Sequence, residues 1–250
     1  MSMKHHNRRR ITIALALAAL LTGGALAQQA ADLSDEQVKE RLGFLEDALT
    51  SAQPRAKLWW YGWIAGYSGA ALVQGGLAAA NWDKKGDARD FAEDMLVGGA
   101  TCALGSAGLL ISPFVPAYGP AALRALPEGT PEERRAKLLK AEELMRGCAR
   151  REKEGRGWLT HGLNLGVNVA AGLVTVLVFD RPWSEGLVTL AISESVSLLN
   201  IFTQPRRAQR DLKNYEIRYL GKPGTYREGA SNPTLYFSVL PGGVSLGVRF

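Results

Sequence analysis

The chain has 250 residues, 30 Lys and Arg against 24 Asp and Glu, and 46% hydrophobic residues. That length supports one sizeable core or two small ones, and a mean hydropathy of −0.07 makes it only moderately apolar. With three histidines, two cysteines, no CxxC pair and no phosphate-loop pattern, the chain offers no multi-histidine zinc site, no metal centre and no cofactor fingerprint.

Residues 1–27 have the order of a secretory signal peptide: a basic head (Lys4, Arg8, Arg9, Arg10), an apolar stretch at 11–21, and the small-residue site Ala25-Leu26-Ala27 before Gln28. Export removes His5 and His6, leaving His161 as the one histidine of the mature chain. It also changes the meaning of the net charge of +6. An exported protein meets no genomic DNA, so nucleic acid is not the expected partner. The Lys/Arg excess is expected to face anionic lipid or envelope polymers. Cys102 and Cys148 either pair in an oxidising compartment or stay as two thiols.

Ser34-Asp35-Glu36-Gln37 is a capping box. Val38, Leu42, Leu45 and Leu49 follow at helical spacing, which predicts an amphipathic helix over 34–52, ended by Pro54. Residues 58–81 carry no charge and are long enough to span a bilayer. Trp59, Trp60, Tyr61 and Trp63 crowd the head of that run as a membrane-interface belt does; aromatic packing in an ordinary core is the alternative. A second apolar run, 95–111, is rich in small residues that let helices approach closely. Pro113, Pro116 and Pro120 then predict an irregular segment.

Thr130-Pro131-Glu132-Glu133 is a second capping box and opens a basic amphipathic helix over 131–154. Two further apolar runs, 158–179 and 187–202, are joined by a short polar connector. Each half of the chain thus reads as an amphipathic helix, two apolar helices and a proline. Gly62, Gly66, Ala70 and Ala71 recur one hundred positions later as Gly162, Gly166, Ala170 and Ala171, which points to an internal repeat. After Pro205 the chain is basic, then punctuated by Gly and Pro. It ends in two strand-like runs around Pro241-Gly242-Gly243, a short hairpin. The alternation of Val244, Leu246, Val248 and Phe250 resembles the terminal strand of outer-membrane β-barrels, which implies recognition by barrel-assembly machinery. A barrel needs many strands of about ten residues, and two such runs favour a small hairpin covering a helical body.

The apolar runs of the second half carry polar residues. His161, Asn164, Asn168 and Thr175 share one helix face, and Ser193, Ser197, Asn200 and Gln204 share a face of the partner run, with Glu194 beside them. Buried amides and hydroxyls of this kind act as interhelical glue. A His161–Glu194 pair in an apolar setting can also exchange protons, which makes these two the only candidate catalytic residues. Glu194 at mid-bilayer costs about 2.5–3.5 kcal/mol on insertion. A cleaved leader moreover leaves the Arg/Lys-rich segments outside, against the positive-inside rule. Hairpins that insert and a translocated bundle that touches the membrane both fit.

The expected fold is therefore mainly α: two repeated units of one amphipathic plus two apolar helices, with a C-terminal β-hairpin. The expected divisions are a signal peptide at 1–27, helical units at 28–126 and 127–212, and a basic linker with the hairpin at 213–250. The expected role is an exported, membrane-associated protein of the cell envelope with a structural or interaction function, by self-association or contact with lipid. The alternative is a binding module for a lipid or other apolar ligand. An enzyme built on His161 and Glu194 is the third reading.

Overall fold

The computed structural model describes residues 32–225 and, beyond them, the backbone of 234–240 and 243–249. The leader at 1–27, the turn residues Pro241 and Gly242, and the terminal Phe250 lie outside the described residues. The chain is mainly α-helical. In order it forms α1 (Asp35–Asn81), α2 (Asp87–Ile111), α3 (Val115–Arg124), α4 (Pro131–Glu154), α5 (Trp158–Leu177), α6 (Trp183–Thr203) and α7 (Arg207–Leu220). The backbone of β1 (Thr234–Leu240) pairs antiparallel with β2 (Gly243–Arg249), Thr234 opposite Arg249.

Both capping boxes form. Ser34 accepts from the Gln37 amide and Thr130 from the Glu133 amide, and the Gln37 and Glu133 side chains reach back to the cap amides. The break at Pro54 does not form: α1 runs unbroken for 47 residues, about 70 Å. Proline removes one helical amide bond, and α3 supports the turns on either side of it. Gln53 donates to the Ala117 carbonyl at 3.1 Å and accepts from Arg124 at 3.1 Å, while Ala56 is buried with Phe114 and Ala117. The predicted irregular segment is likewise a helix. Pro116 falls in the first turn of α3, where a missing N–H costs nothing, and Phe114, Ala117, Pro120 and Leu123 are buried.

The first half of α1, with α3, α4 and α7, builds a cap around one core. Val38, Leu42 and Leu45 meet Leu138, Met145, Cys148 and Tyr215 there. A bidentate pair, Arg134 Nε and Nη2 on Asp35 at 2.9 and 2.7 Å, ties α4 to the start of α1. The Arg134 guanidinium holds the Asp35 carboxyl down at about 2. Lys137, almost fully buried, reaches Glu46 and Glu128 at 2.7 and 2.6 Å. Buried Glu152 caps α7 from α4 by accepting from the Ala208 and Gln209 amides at 3.2 and 3.0 Å.

The apolar helices leave the cap as two hairpins. The second half of α1 goes out and α2 returns; α5 goes out from α4 and α6 returns to α7. Both short connectors therefore lie at the end away from the cap. The hairpins are held by close backbone approach. A Cβ on Gly172 would stand 2.7 Å from the Gly186 carbonyl oxygen, and one on Gly99 would stand 3.4 Å from the Gly75 nitrogen.

The repeat is not supported. The first amphipathic and apolar runs are one continuous helix, whereas α4 and α5 are separate, and the cap core draws on both supposed units across the 126/127 boundary. Gly62, Gly66, Gly162 and Gly166, which carried the match, would each accept a Cβ with nothing within 4 Å. They are small residues on open faces, not counterparts in a shared packing scheme. The linker boundary at 212/213 also falls inside α7.

Candidate functional site

Three segments are long and apolar enough to cross a membrane: Asp87–Arg124, which contains α2; Trp158–Leu177, which is α5; and Trp183–Leu220, which contains α6. The fourth expected run, residues 58–81, is not among them; Trp59, Trp60, Tyr61, Gln74 and several glycines hold its hydropathy down. The apolar windows of the three segments are only 22%, 28% and 11% buried within the chain. Leu72, Leu110, Leu177, Leu187, Leu199 and Phe202 all face outward. So much outward apolar surface is what a lipid-facing or partner-facing helix carries.

Tryptophans mark the two ends of these helices. Trp158 is 83% exposed at the cap end of α5, and Trp183 is 64% exposed at the far end of α6, with Trp82 beside the other connector. The 20 residues of α5 cover about 30 Å, the thickness of a hydrocarbon core. Of the four predicted interface aromatics, Tyr61 is exposed, and the three tryptophans turn their indoles inward at the junction of cap and hairpins. Trp59 donates to the Asn200 carbonyl at 3.2 Å, Trp63 to Thr203 Oγ1 at 3.1 Å and Trp60 to the Leu109 carbonyl at 3.2 Å. Trp59 and Trp63 join the two hairpins there and Trp60 ties α1 to α2 within the first, a use of Trp N–H that suits a half-buried boundary.

Between the hairpins lies a cavity of ≈ 460 Å³. All five residues of the predicted polar cluster line it: Asn164 and Asn168 from α5, and Ser193, Ser197 and Asn200 from α6. The facing hairpin adds Gln74, Thr101 and Cys102, and the cap end adds Arg151 and Gln204. Cys102 is thus a free thiol beside the cavity, and Cys148 a free thiol within the cap core, where burial pushes it up to about 12. Asn168, 4% exposed, donates to Glu194 at 2.8 Å and to Ser197 at 3.0 Å. Asn200 Nδ2 is buried without a hydrogen-bond partner.

His161 and Glu194 do not meet. His161 lies against the Phe202 ring, centroids 6.2 Å apart, whereas Glu194 is bound by Asn168, about two turns further along α5. A proton exchange between them has no geometric basis here.

Two features at the ends of the cavity were missed in the sequence. At the far end Arg181, 15% exposed, stands 3.5 Å from Asp90, 3.9 Å from Glu93 and 4.0 Å from Asp94 of α2, and pairs with Glu185. It bridges the two hairpins at their far end. At the cap end Arg151 donates to the Ser112 carbonyl at 2.8 Å and the Pro113 carbonyl at 3.3 Å, and Arg156 donates to the Phe202 and Gln204 carbonyls. Burial lowers the pKa of both guanidiniums, from values so high that they stay cationic. The signal for both features was an arginine beside a tryptophan at the edge of an apolar run.

No protein family, no curated protein and no solved structure matches this chain.

Proposed function

We propose that the chain is a membrane-embedded protein of the cell envelope, delivered by its leader, which holds an amphipathic or apolar ligand between two helical hairpins. The observation that carries this reading is the cavity itself. It is lined by amides and hydroxyls from both hairpins, yet set in helices whose outer faces are apolar and exposed. A purely structural hairpin pair satisfies its polar residues against one another. Asn168, Glu194 and Ser197 do so, but the Asn200 amide is buried without a partner at the cavity wall. Convergent polar groups in a mixed apolar pocket are the usual form of a small-molecule site.

The lipid or apolar-ligand reading therefore stands ahead of a purely structural or self-associating one, and both stand ahead of an enzyme. The cap, basic over α4 and α7, then lies against an anionic membrane surface. The test is extraction. Membranes washed with alkaline carbonate should retain the protein, and organic extraction of the purified protein should yield a lipid-like molecule. Release by carbonate would overturn membrane embedding, and protein free of any co-purified amphiphile would overturn the binding role.

A further inference from the structure

Arg151, Arg156 and Arg206 lie around the cap-side mouth of the cavity, with no salt bridge among the described residues. Arg151 lines the cavity, and Arg156 lies at the hinge between α4 and α5. Arg206, exposed just before α7, lies two residues beyond Gln204, a cavity-lining residue whose carbonyl accepts from Arg156 at 3.0 Å. Among the described residues none of the three forms a salt bridge within 4 Å, although the other cap helices are laced with them. The two nearby carboxylates make their contacts elsewhere, Glu152 on the amides of α7 and Glu154 towards Arg150 at 3.9 Å, and act on Arg156 and Arg151 only through space. The partners of Arg151 and Arg156 are backbone carbonyls, which fix the guanidiniums in place without neutralising them, and Arg156 Nε is buried with no partner at all.

The depth of this cluster matters as much as its charge. Exposed Trp158 and Phe202 lie in the same turn of their helices as Arg156 and its carbonyl partners, and Trp59 and Trp63 reach Thr203 just beside them. Aromatic residues of this kind mark the level of the lipid headgroups. Deeper in the cavity Leu163, Val167, Ile192 and Val196 line the wall between Asn164, Asn168, Ser193 and Ser197.

We propose that the cap-side mouth of the inter-hairpin cavity is a binding site for an anionic phospholipid. Arg151, Arg156 and Arg206 face its phosphate, and an acyl chain lies along the cavity beside Leu163 and Val196. Fixed guanidiniums suit a phosphate because they present paired N–H donors to its oxygens. Asn200 and Asn164 supply hydrogen bonds to the glycerol and ester region. The site rests on the membrane-embedded, ligand-holding reading above and adds the charge and chemistry of the ligand.

The test is native mass spectrometry of the detergent-solubilised full chain, titrated with phosphatidylglycerol and, separately, phosphatidylcholine of the same acyl chains. Phosphatidylglycerol should bind at least about tenfold tighter, since its headgroup carries a net negative charge that the guanidiniums attract and phosphatidylcholine's does not. The double variant Arg151→Gln/Arg156→Gln should lose that preference, whereas Arg151→Lys/Arg156→Lys should keep most of it. Equal binding of the two lipids by the unaltered protein overturns the site whether or not any variant folds. Displacement of phosphatidylglycerol by millimolar inorganic phosphate overturns it in favour of a free-anion site. Carbonate release would instead strike the membrane reading itself, so the two failures are distinguishable.

Discussion

Asn168 and Glu194 are joined across the α5–α6 hairpin by a 2.8 Å hydrogen bond in which the amide donates to the carboxylate. Glu194 is the one carboxylate within the apolar runs 158–177 and 187–203 of that hairpin, and Asn168 is its partner on α5. Substituting Asn168→Leu removes the donor and leaves an acceptor stranded in apolar surroundings, at a cost of about 1.5–3 kcal/mol. Glu194→Gln keeps the size and the hydrogen-bonding capacity, so it should be neutral or slightly stabilising. Thermal unfolding of both variants in detergent checks this. A Glu194→Gln protein that is stable but functionally dead would show that the carboxylate does more than hold the hairpin.

The glycines make a sharper contrast. Gly172→Ala forces a methyl to within 2.7 Å of the Gly186 carbonyl, whereas Gly166→Ala places one in open space on the same helix. The first should destabilise the protein by about 1–3 kcal/mol through overpacking. The second should stabilise it by about 0.5–1 kcal/mol, because alanine is the better helix residue. Similar melting temperatures for the two variants would remove the close hairpin contact from the account.

Glu152 gives the cap a pH dependence. Burial raises its carboxyl from an ordinary 4.5 to about 7, against the pull of the Gln209 and Ala208 amides. A carboxyl whose pKa is higher in the folded than in the unfolded chain binds its proton more tightly when folded. Its contribution is complete below about pH 4.5 and is lost as pH rises through 7. The fall is on the order of 3 kcal/mol. Buried Asp211, also raised by desolvation, works in the same direction. Asp35, held down at about 2, does the opposite: its contribution is present above about 3.8 and fades as pH falls toward 2. Chemical denaturation of the unaltered protein at pH 5 and pH 8 should therefore show the higher stability at pH 5, and Glu152→Gln should flatten the difference.

Arg181 stands among Asp90, Glu93, Asp94 and Glu185 at the far end, and Arg89 also pairs with Glu93 at 2.8 Å. Arg181→Ala leaves Asp90, Asp94 and Glu185, all partly exposed, repelling one another across the hairpins and should cost about 1 kcal/mol. Arg181→Lys should recover only part of that, since a point charge cannot fork between partners. Detergent melting curves at low and high salt check it. A loss unaffected by salt would mean that packing, not charge, joins the hairpins there.

Much of this arrangement was legible in the chain. The two capping boxes set the starts of α1 and α4, and the spacing of Asn164 and Asn168 put both on the face that lines the cavity. Local rules failed where tertiary contacts decide. Pro54 looks like a stop until Gln53 is seen bound to Ala117 and Arg124. Helix α7 was overlooked because its charges masked the buried positions Ala208, Asp211 and Tyr215, which recur at helical spacing before Gly221, a left-handed end with φ of 65°. The equivalence of glycines one hundred residues apart was coincidence, since the first set lies on open faces of a continuous helix. His161 and Glu194 shared a hairpin but not a level, and no sequence pattern fixes that register.

The central claim is that the hairpins cross a membrane with the cap on one side and the connectors on the other. It is tested most directly by single cysteines in a Cys102→Ala/Cys148→Ala background, at Lys140→Cys in the cap and at Asp87→Cys and Ser184→Cys at the far end, all exposed positions. An impermeant maleimide applied to sealed cells should label the cap position, which the proposed export would place outside, and reach the two far positions only after permeabilisation. Labelling confined to the far positions would keep the crossing and reverse the orientation. Labelling of all three in sealed cells would contradict the crossing itself.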